Sequence, residues 1–198
     1  MAFTTDLAAK LTRDASTLPQ TAPFAQWLRD LDLAAVHLFS RSARPKALRF
    51  LAVAISKLGN GWIYPLLLAL VCYGCGSQGW RVAMLAGANA ALLHILYPIL
   101  KRRFRRRRPF HVDARLPSLL PTLDAHSFPS GHVMTLTGVL APLALAWPAT
   151  TGSAALLFLS MAWSRIATAH HYPSGVIAGA ALGLALSAPL SSYALSLV

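Results

Sequence analysis

The residues best suited to chemistry fall into three short clusters in the second half of the chain. The first, KRRFRRRRP at 101–109, carries seven cations in nine residues. The second, FPSGH at 128–132, precedes an apolar run, and the third, SRIATAHHYPSG at 164–175, holds an arginine and two adjacent histidines. Phosphoryl oxygens are bound in proteins by arginine, lysine and free helix N–H groups, and an imidazole can accept the phosphoryl group. The three clusters together indicate phosphoryl transfer.

Each cluster also has a simpler interpretation when it is taken alone. The cationic run is typical of a positive anchor at the end of a membrane span. Pro129 and Ser130 suit the first turn of a helix, where the N–H groups of Ser130, Gly131 and His132 would form an anion site. The same segment could be a plain Pro-Ser-Gly turn with an incidental histidine. The alternatives stay open until the clusters are placed together.

Apolar segments between the clusters predict how the clusters are positioned. Five segments are candidates for membrane spans: 61–76, 80–100, 131–148, 152–168 and 174–198. Two spans separate the 101–130 loop from the 168–174 turn, so both lie on one side of the membrane and the clusters can meet. Small residues, among them Gly87, Gly179 and Gly183, recur where helices would pack closely. No sheet-forming pattern is present.

The N-terminal part predicts a different kind of structure. Residues 1–23 are polar and Thr-rich, which indicates a flexible tail. Two amphipathic helices are expected within 24–58, because each has apolar residues at helical spacing beside charges. The prediction is an all-α integral membrane bundle of about five to six transmembrane helices, with one domain over 24–198 and a functional loop at 101–130.

Composition supports a membrane protein and argues against several other classes. The chain of 198 residues is 56% hydrophobic and 12% charged, with 18 basic and 6 acidic residues and a formal net charge of +12. The basic residues flank apolar spans, as cytoplasmic loops do, so no nucleic-acid partner is predicted. Cys72 and Cys75 are expected to be packing residues, since a lone pair cannot complete a structural zinc site. No carboxylate cluster offers a metal site.

At these clusters the sequence resembles the type 2 phosphatidic acid phosphatase family, which also includes vanadium haloperoxidases and glucose-6-phosphatases. The family pattern is K-x6-RP, PSGH and SR-x5-H-x3-D. Lys101, Arg108 and Pro109 match the first motif, residues 129–132 match the second, and Ser164, Arg165 and His171 match the third. The agreement runs from about residue 57 to 185. Residue 175 departs from the pattern, because Gly175 stands where the family has aspartate.

The resemblance implies a phosphatase of lipid phosphates that needs no metal and no cofactor. His171 would be the nucleophile that forms a phosphohistidine, and His132 the general acid that protonates the leaving oxygen. The phosphate-binding residues would be Lys101, Arg108, Ser130, Gly131 and Arg165. His170 lacks the family spacing from Arg165. His111 and His126 are expected to be solvated, and His37 and His94 to be packing residues.

The expected substrate is a lipid phosphate: phosphatidate, phosphatidylglycerophosphate or undecaprenyl diphosphate. Membrane lipids are the other expected partners, and no obligatory protein partner is inferred. The chain would reside in a bacterial inner membrane. With five spans, Arg81 is the one cation of 18 opposite the clusters, so the positive-inside rule puts the catalytic side in the cytoplasm.

Two other functions remain as alternatives. The missing carboxylate at Gly175 leaves open a catalytically weak or silent relative that binds lipid phosphate without hydrolysing it. The apolar spans by themselves would fit a small transporter or scramblase, although no paired half-helices support this. If the lost carboxylate limits an active enzyme, Gly175→Asp is expected to raise its turnover.

Overall fold

The computed structural model describes residues 23–197, and every regular element in that range is helical. The helices are α1 Pro23–Ser42, α2 Lys46–Lys57, α3 Ile63–Phe104, α4 Pro109–Val112, α5 Gly131–Ala146, α6 Thr151–Ala167 and α7 Pro173–Ser196. A π-helical turn, Leu58–Trp62, joins α2 to α3, and a 3₁₀ turn, Pro148–Thr150, precedes α6. The all-α prediction is confirmed. The predicted tail at 1–23 lies outside the described residues, except for Pro23.

Two compact units divide the chain between Leu31 and Asp32. Residues 23–31 form the first part of α1. The second unit, from Asp32 onward, contains the rest of α1 and all later helices. Every contact described below lies within this second unit.

The long helix α3 is a hairpin of two arms, 63–75 and 77–104, which turns at Gly76. Gly76 has φ 55° and ψ −135°, a backbone conformation that glycine adopts readily because it has no Cβ. A Cβ on Gly79 would collide with the Val71 carbonyl oxygen, so the arms pack side by side near the turn. The arms correspond to the predicted segments 61–76 and 80–100.

Helix α7 packs closely on α5 through its glycines. A Cβ on Gly179 would lie 2.6 Å from the Ser130 carbonyl oxygen, and one on Gly183 would lie 2.5 Å from the Met134 carbonyl oxygen. Only a residue without a side chain permits these approaches. The prediction of close packing is confirmed at both glycines. It is wrong at Gly87, where a Cβ would meet no heavy atom within 4 Å.

Length and apolar composition mark two helical stretches of the described chain as able to cross a bilayer, Lys46–Val112 and Pro173–Ser196. The first contains the α3 hairpin, and α5 is apolar but shorter. Large apolar side chains are exposed around the bundle; they include Leu66, Leu70, Ile95, Leu156, Leu159 and Ile177, each at least 60% exposed. Such a belt suits a lipid environment, because a water-soluble protein rarely exposes so extensive an apolar surface.

Candidate active site

The three sequence clusters converge on one cavity. Five of the seven predicted site residues line it: Lys101, Arg108, His132, Arg165 and His171. The other lining residues are Lys57, Asn60, Leu120, Pro121, Leu123 and Asp124. The prediction that the 101–130 loop and the 168–174 turn meet is therefore confirmed.

Helix ends position the lining side chains. Lys101 lies in the last turn of α3, and Arg108 immediately precedes α4. His132 is in the first turn of α5, Arg165 is in the last turn of α6, and His171 is in the turn between α6 and α7. These ends lie together because consecutive helices of the bundle run in opposite directions.

Asp124 joins the two cations of the first cluster. Its carboxylate accepts hydrogen bonds from Lys101 Nζ at 2.5 Å and from Arg108 Nη2 at 2.8 Å. Both cations are buried, at 5% and 1% exposure. Burial opposes ionisation of Asp124, but the charge and hydrogen bonds of Lys101, with the charge of Arg108, outweigh it, and its pKa lies below the usual value. The cavity thus carries an ionised carboxylate beside two cations that could bind phosphate.

Arg165 is held by the last turn of α2. Its Nη1 donates to the hydroxyl of Ser56 at 2.8 Å, and that hydroxyl lies 3.0 Å from Ser164 Oγ. Arg165 is only 5% exposed, and its Nε has no hydrogen-bond partner among the described residues. A buried guanidinium with an unused donor is suited to bind an oxyanion that enters the cavity.

His171 is oriented by a backbone carbonyl. Its Nδ1 lies 2.7 Å from the Ser127 carbonyl oxygen, which can only accept a hydrogen bond, so Nδ1 carries the proton. The other ring nitrogen, Nε2, then holds the lone pair. Burial, followed by the charges of Arg165, Arg108 and Lys101, lowers the pKa of His171 well below its ordinary value. A neutral imidazole with a free Nε2 has the form that a nucleophile requires.

The Ser127 carbonyl is itself fixed by the cationic segment. The backbone N–H of Ser127 donates to the Arg106 carbonyl at 2.9 Å, and its hydroxyl donates to the Arg107 carbonyl at 2.8 Å. Gly175 makes room for it, because a Cβ there would lie 2.9 Å from the Ser127 oxygen. The Ser127 carbonyl thus contacts Nδ1 of His171 in a chain that has glycine at position 175, where the family pattern has aspartate.

The His170 side chain contacts different groups from those that the His171 side chain contacts. Its Nδ1 lies 2.9 Å from the Thr168 carbonyl, its ring packs on Phe110, and its own carbonyl accepts from Arg108 Nη1 at 2.9 Å. Burial and the charge of Arg165 lower its pKa to about 4. His170 is not among the residues that line the cavity. The structure supports the choice of His171 over His170.

His132 lies between the main cavity and a second, adjoining cavity. Its Nε2 donates to the amide oxygen of Asn60 at 2.7 Å, since that oxygen can only accept. Asn60 belongs to the π-helical turn before α3. No sequence motif pointed to Asn60, because its position depends on how that turn packs against α5.

Ser130 and Gly131 are placed differently from the prediction. The Ser130 N–H donates to the Gly175 carbonyl at 2.9 Å and is therefore unavailable to an anion. The Ser130 hydroxyl is buried and has no hydrogen-bond partner among the described residues. Gly131 lies under the ring of Tyr97, where a Cβ would lie 3.1 Å from a ring carbon, and it faces the second cavity. Neither residue lines the main cavity.

An ion-pair network fixes the start of α7 beside His171. Asp32 accepts from the Ser174 N–H at 2.9 Å and from Arg106 Nη2 at 2.7 Å, and the Ser174 hydroxyl donates to it as well. The Arg106 guanidinium lies 3.7 Å from the centroid of the Tyr172 ring. Asp32 falls within the region 24–58, for which the sequence predicted only amphipathic helices. The only available signal was that it is one of six acids in a basic chain.

The two histidines expected to be packing residues lie in different surroundings. His37 forms an ion pair or hydrogen bond with Asp113 at 2.8 Å. His94 is exposed and lines the second cavity beside Tyr97. The expectation is wrong for His37, because helical periodicity does not reveal which neighbours a partly exposed face acquires. The His94 ring does pack edge-on against Tyr97, with ring centroids 5.3 Å apart. Within residues 23–197, no three His, Cys, Asp or Glu side chains form a group that could hold a metal ion.

Comparisons with known proteins agree with this geometry. The family model described as the PAP2 superfamily matches residues 82–195. Decaprenylphosphoryl-5-phosphoribose phosphatase of Mycobacterium tuberculosis is 36% identical over 138 residues, which cover 67% of this chain and 71% of the relative. Lipid A 1-phosphatase of Rhizobium etli is 28% identical over 164 residues, which cover 72% of this chain and 69% of the relative.

Two solved structures share the fold. The transmembrane PAP2-type phosphatidylglycerolphosphate phosphatase of Bacillus subtilis superposes with a TM-score of 0.64 at 22% identity, covering 86% of this chain and 87% of that one. LpxE of Aquifex aeolicus gives a TM-score of 0.63 at 25% identity, with coverages of 84% and 95%. Motifs, fold and relatives agree: the chain belongs to the PAP2 superfamily and is an integral membrane, metal-independent lipid phosphate phosphatase.

Proposed function

We propose that this chain hydrolyses lipid phosphate monoesters or diphosphates through a phosphohistidine formed on His171. The hydrogen bond from His171 Nδ1 to the Ser127 carbonyl carries the proposal, because it leaves Nε2 unprotonated. Lys101, Arg108 and Arg165 surround the same cavity and supply the positive charge that a phosphoryl group in transfer requires.

In the first step, His171 Nε2 attacks phosphorus while the bond from phosphorus to the leaving oxygen breaks. His132 donates a proton to that oxygen, so that the lipid leaves as an alcohol or, from a diphosphate, as a phosphate. The three cations bind the non-bridging oxygens, whose charge spreads in the transition state. The Ser127 carbonyl stabilises the developing positive charge on the imidazole through the Nδ1 proton.

In the second step, water attacks the phosphorus of the phosphohistidine. His132, now neutral, takes a proton from the water, and the phosphorus–nitrogen bond breaks. Inorganic phosphate is released, and both histidines return to their starting protonation states. Ser130 and Gly131 support the site through the start of α5 in this scheme, since neither lines the main cavity.

The Ser127 carbonyl also argues against a catalytically silent relative. That alternative depended on the absence of a group to orient His171. A hydrogen-bond acceptor is present at 2.7 Å although residue 175 is glycine. The carbonyl is a weaker partner for imidazolium than a carboxylate, so a lower rate than that of a carboxylate-bearing relative is consistent with this arrangement.

Relatives named for decaprenylphosphoryl-5-phosphoribose and for lipid A support lipids with large polar headgroups as substrates. Phosphatidate, phosphatidylglycerophosphate and undecaprenyl diphosphate remain in the same chemical class.

The site is proposed to face the cytoplasm of a bacterial inner membrane. Arg81 lies near Ser77 and Leu195, at the hairpin end of the bundle, whereas Arg41, Arg44 and Arg49 share a cavity with the 115–119 segment at the other end.

The proposal is tested by phosphate release from these lipids by the purified full chain in nanodiscs without added metal. Wild type is expected to release phosphate from at least one lipid, and His171→Asn from none. A phosphorylated protein intermediate that is labile in acid and stable in base would identify a phosphohistidine. Turnover by His171→Asn at the wild-type rate would refute the mechanism.

A further inference from the structure

A second cavity adjoins the catalytic one on the far side of His132. It lies between the α3 hairpin arms and the start of α5, and eight of its wall residues can form hydrogen bonds through their side chains: Asn60, Tyr64, His94, Tyr97, Lys101, Asp124, His132 and Thr135. The mechanism uses His132 and Lys101, together with the bonds that Asn60 and Asp124 make to them. The other four have no assigned role.

These four polar side chains lie in helices that consist mainly of apolar residues. Tyr64, His94 and Thr135 each lie within about two helical turns of the catalytic end, in helices that are otherwise strongly apolar. Polar side chains at that depth cost free energy unless they have partners, and in membrane proteins they commonly mark substrate paths. Asn89, a buried polar residue elsewhere in α3, does have protein partners. Its Nδ2 donates to the Gly138 carbonyl at 3.1 Å and to Ser191 Oγ at 3.0 Å.

The polar groups that line this cavity use only part of their hydrogen-bonding capacity on one another. The Thr135 hydroxyl lies 3.5 Å from His94 Nδ1, at the outer limit of a hydrogen bond. A ligand hydroxyl both donates and accepts, so it could pair with an imidazole, a phenol or a threonine hydroxyl. An acyl or prenyl chain could pair with none of them.

His132 connects this cavity to the chemistry. Because it lines both cavities, a phosphate bound beside His171 would place its leaving oxygen near His132 and the rest of the leaving group in the second cavity. His94 is exposed on the outer surface of α3, so the far side of the cavity reaches the surface of the bundle. A lipid chain could extend there into the bilayer.

We propose that this second cavity is a subsite for a hydroxyl-bearing leaving group, such as a sugar or polyol linked to a lipid chain. The proposal rests on the proposed function, because it assigns the second half of the same substrate. It makes Tyr64, His94 and Thr135 specificity-determining residues, and it makes a plain alkyl or prenyl phosphate a poorer substrate.

The test compares two synthetic lipids that differ only in hydroxyl groups. One is dodecyl glucoside 6-phosphate, and the other is its 2,3,4-trideoxy analogue; the probe for glycerol-type headgroups is phosphatidylglycerophosphate. In nanodiscs, wild type is expected to have a higher kcat/KM for the hydroxylated lipid. Thr135→Val and Tyr64→Phe should each reduce the ratio of the two kcat/KM values by about tenfold, the scale of one lost hydrogen bond in a buried site.

Thr137→Val is the matched control. Thr137 lies two residues further along α5, bonds to the Val133 carbonyl of its own helix and lines neither cavity. It should leave the ratio unchanged. The proposal is overturned if wild type does not prefer the hydroxylated lipid, or if Thr135→Val and Tyr64→Phe lower both values equally. A stronger loss with phosphatidylglycerophosphate than with the glucoside would support the subsite and assign it to glycerol.

A binding measurement separates this proposal from the proposed function. His171→Asn should bind dodecyl glucoside 6-phosphate more tightly than the trideoxy analogue, and Thr135→Val added to it should abolish that difference. If wild type released no phosphate from any lipid, the hydrolytic mechanism would fail, while these affinities would still decide the subsite. Equal affinities for the two lipids would overturn it.

Discussion

His171 Nδ1 lies 2.7 Å from the carbonyl oxygen of Ser127, a residue 44 positions earlier in the chain. This contact leaves Nε2 as the unprotonated imidazole nitrogen, the one that we propose attacks phosphorus. A backbone carbonyl is therefore the partner of this imidazole in a chain that has glycine where the family pattern has aspartate. The carbonyl can be that partner because Gly175 adds no side chain between α7 and the loop.

Gly175→Asp is expected to lower turnover by about 10- to 100-fold, the scale of displacing a catalytic group by a fraction of an ångström to one ångström. The new Cβ would lie 2.9 Å from the Ser127 oxygen and would push it away from His171. This reverses the expectation from sequence. Phosphate-release kinetics would measure the effect, with Gly175→Ala as the control for the clash alone. A higher kcat for Gly175→Asp would show that the loop yields and that the carboxylate is the better partner.

Replacing His171 by Asn should abolish turnover, whereas His170→Asn should retain most of it. Only His171 lines the cavity, and the His170 contacts to Thr168 and Phe110 are structural. Steady-state rates and trapping of the phosphorylated protein would measure both. Because His170 is buried, the thermal midpoint of each variant must be recorded as well. Similar losses in both variants at unchanged stability would contradict the assignment of the nucleophile.

Arg108→Gln should cost about 3 kcal/mol of transition-state stabilisation, the scale of one preorganised donor. Arg103→Gln is the matched control, since Arg103 belongs to the same cationic run but is exposed and does not line the cavity. Its kcat/KM should stay near that of wild type. Comparable losses in the two variants would mean that the run acts only through its overall charge.

The protonation of His171 should respond to the neighbouring cations. Burial and the positive charges of Arg165, Arg108 and Lys101 disfavour the imidazolium, so His171 should remain neutral as the pH falls through 6.5. Removing one positive charge in Arg108→Gln should raise the pKa of His171 and shift the acid limb of kcat/KM to higher pH. Nitrogen-15 NMR of labelled histidines would follow the titration. A pKa that stays the same or falls would contradict this electrostatic account.

Native Cys75 provides an internal reference for membrane orientation. It is exposed at the hairpin end, whereas Ser118 is exposed in the loop at the catalytic end. In cells, a membrane-impermeant thiol reagent should label Cys75 in a Cys72→Ser background. It should not label Ser118→Cys in a chain lacking both native cysteines. The opposite pattern would place the catalytic side outside the cytoplasm.

The sequence by itself determined the helical architecture, the family and the cations and histidines of the site. Apolar segments about as long as a bilayer is thick can bury their backbone hydrogen bonds only as helices, so their existence follows from local pattern. The motif spacings placed Lys101, Arg108, Arg165 and His171 at helix ends, and the two helices between the loops, α5 and α6, brought those ends together.

Tertiary structure alone decided what surrounds those groups. The Ser127 carbonyl has no side-chain signature, and the roles of Asp32, Asn60 and His94 depend on neighbours up to 142 residues away in sequence. The sequence suggested the Ser130 N–H as a donor to an anion, but this N–H donates a hydrogen bond to the Gly175 carbonyl. Local periodicity specifies which face of a helix is apolar, but the partner of each polar atom is set by how the helices pack.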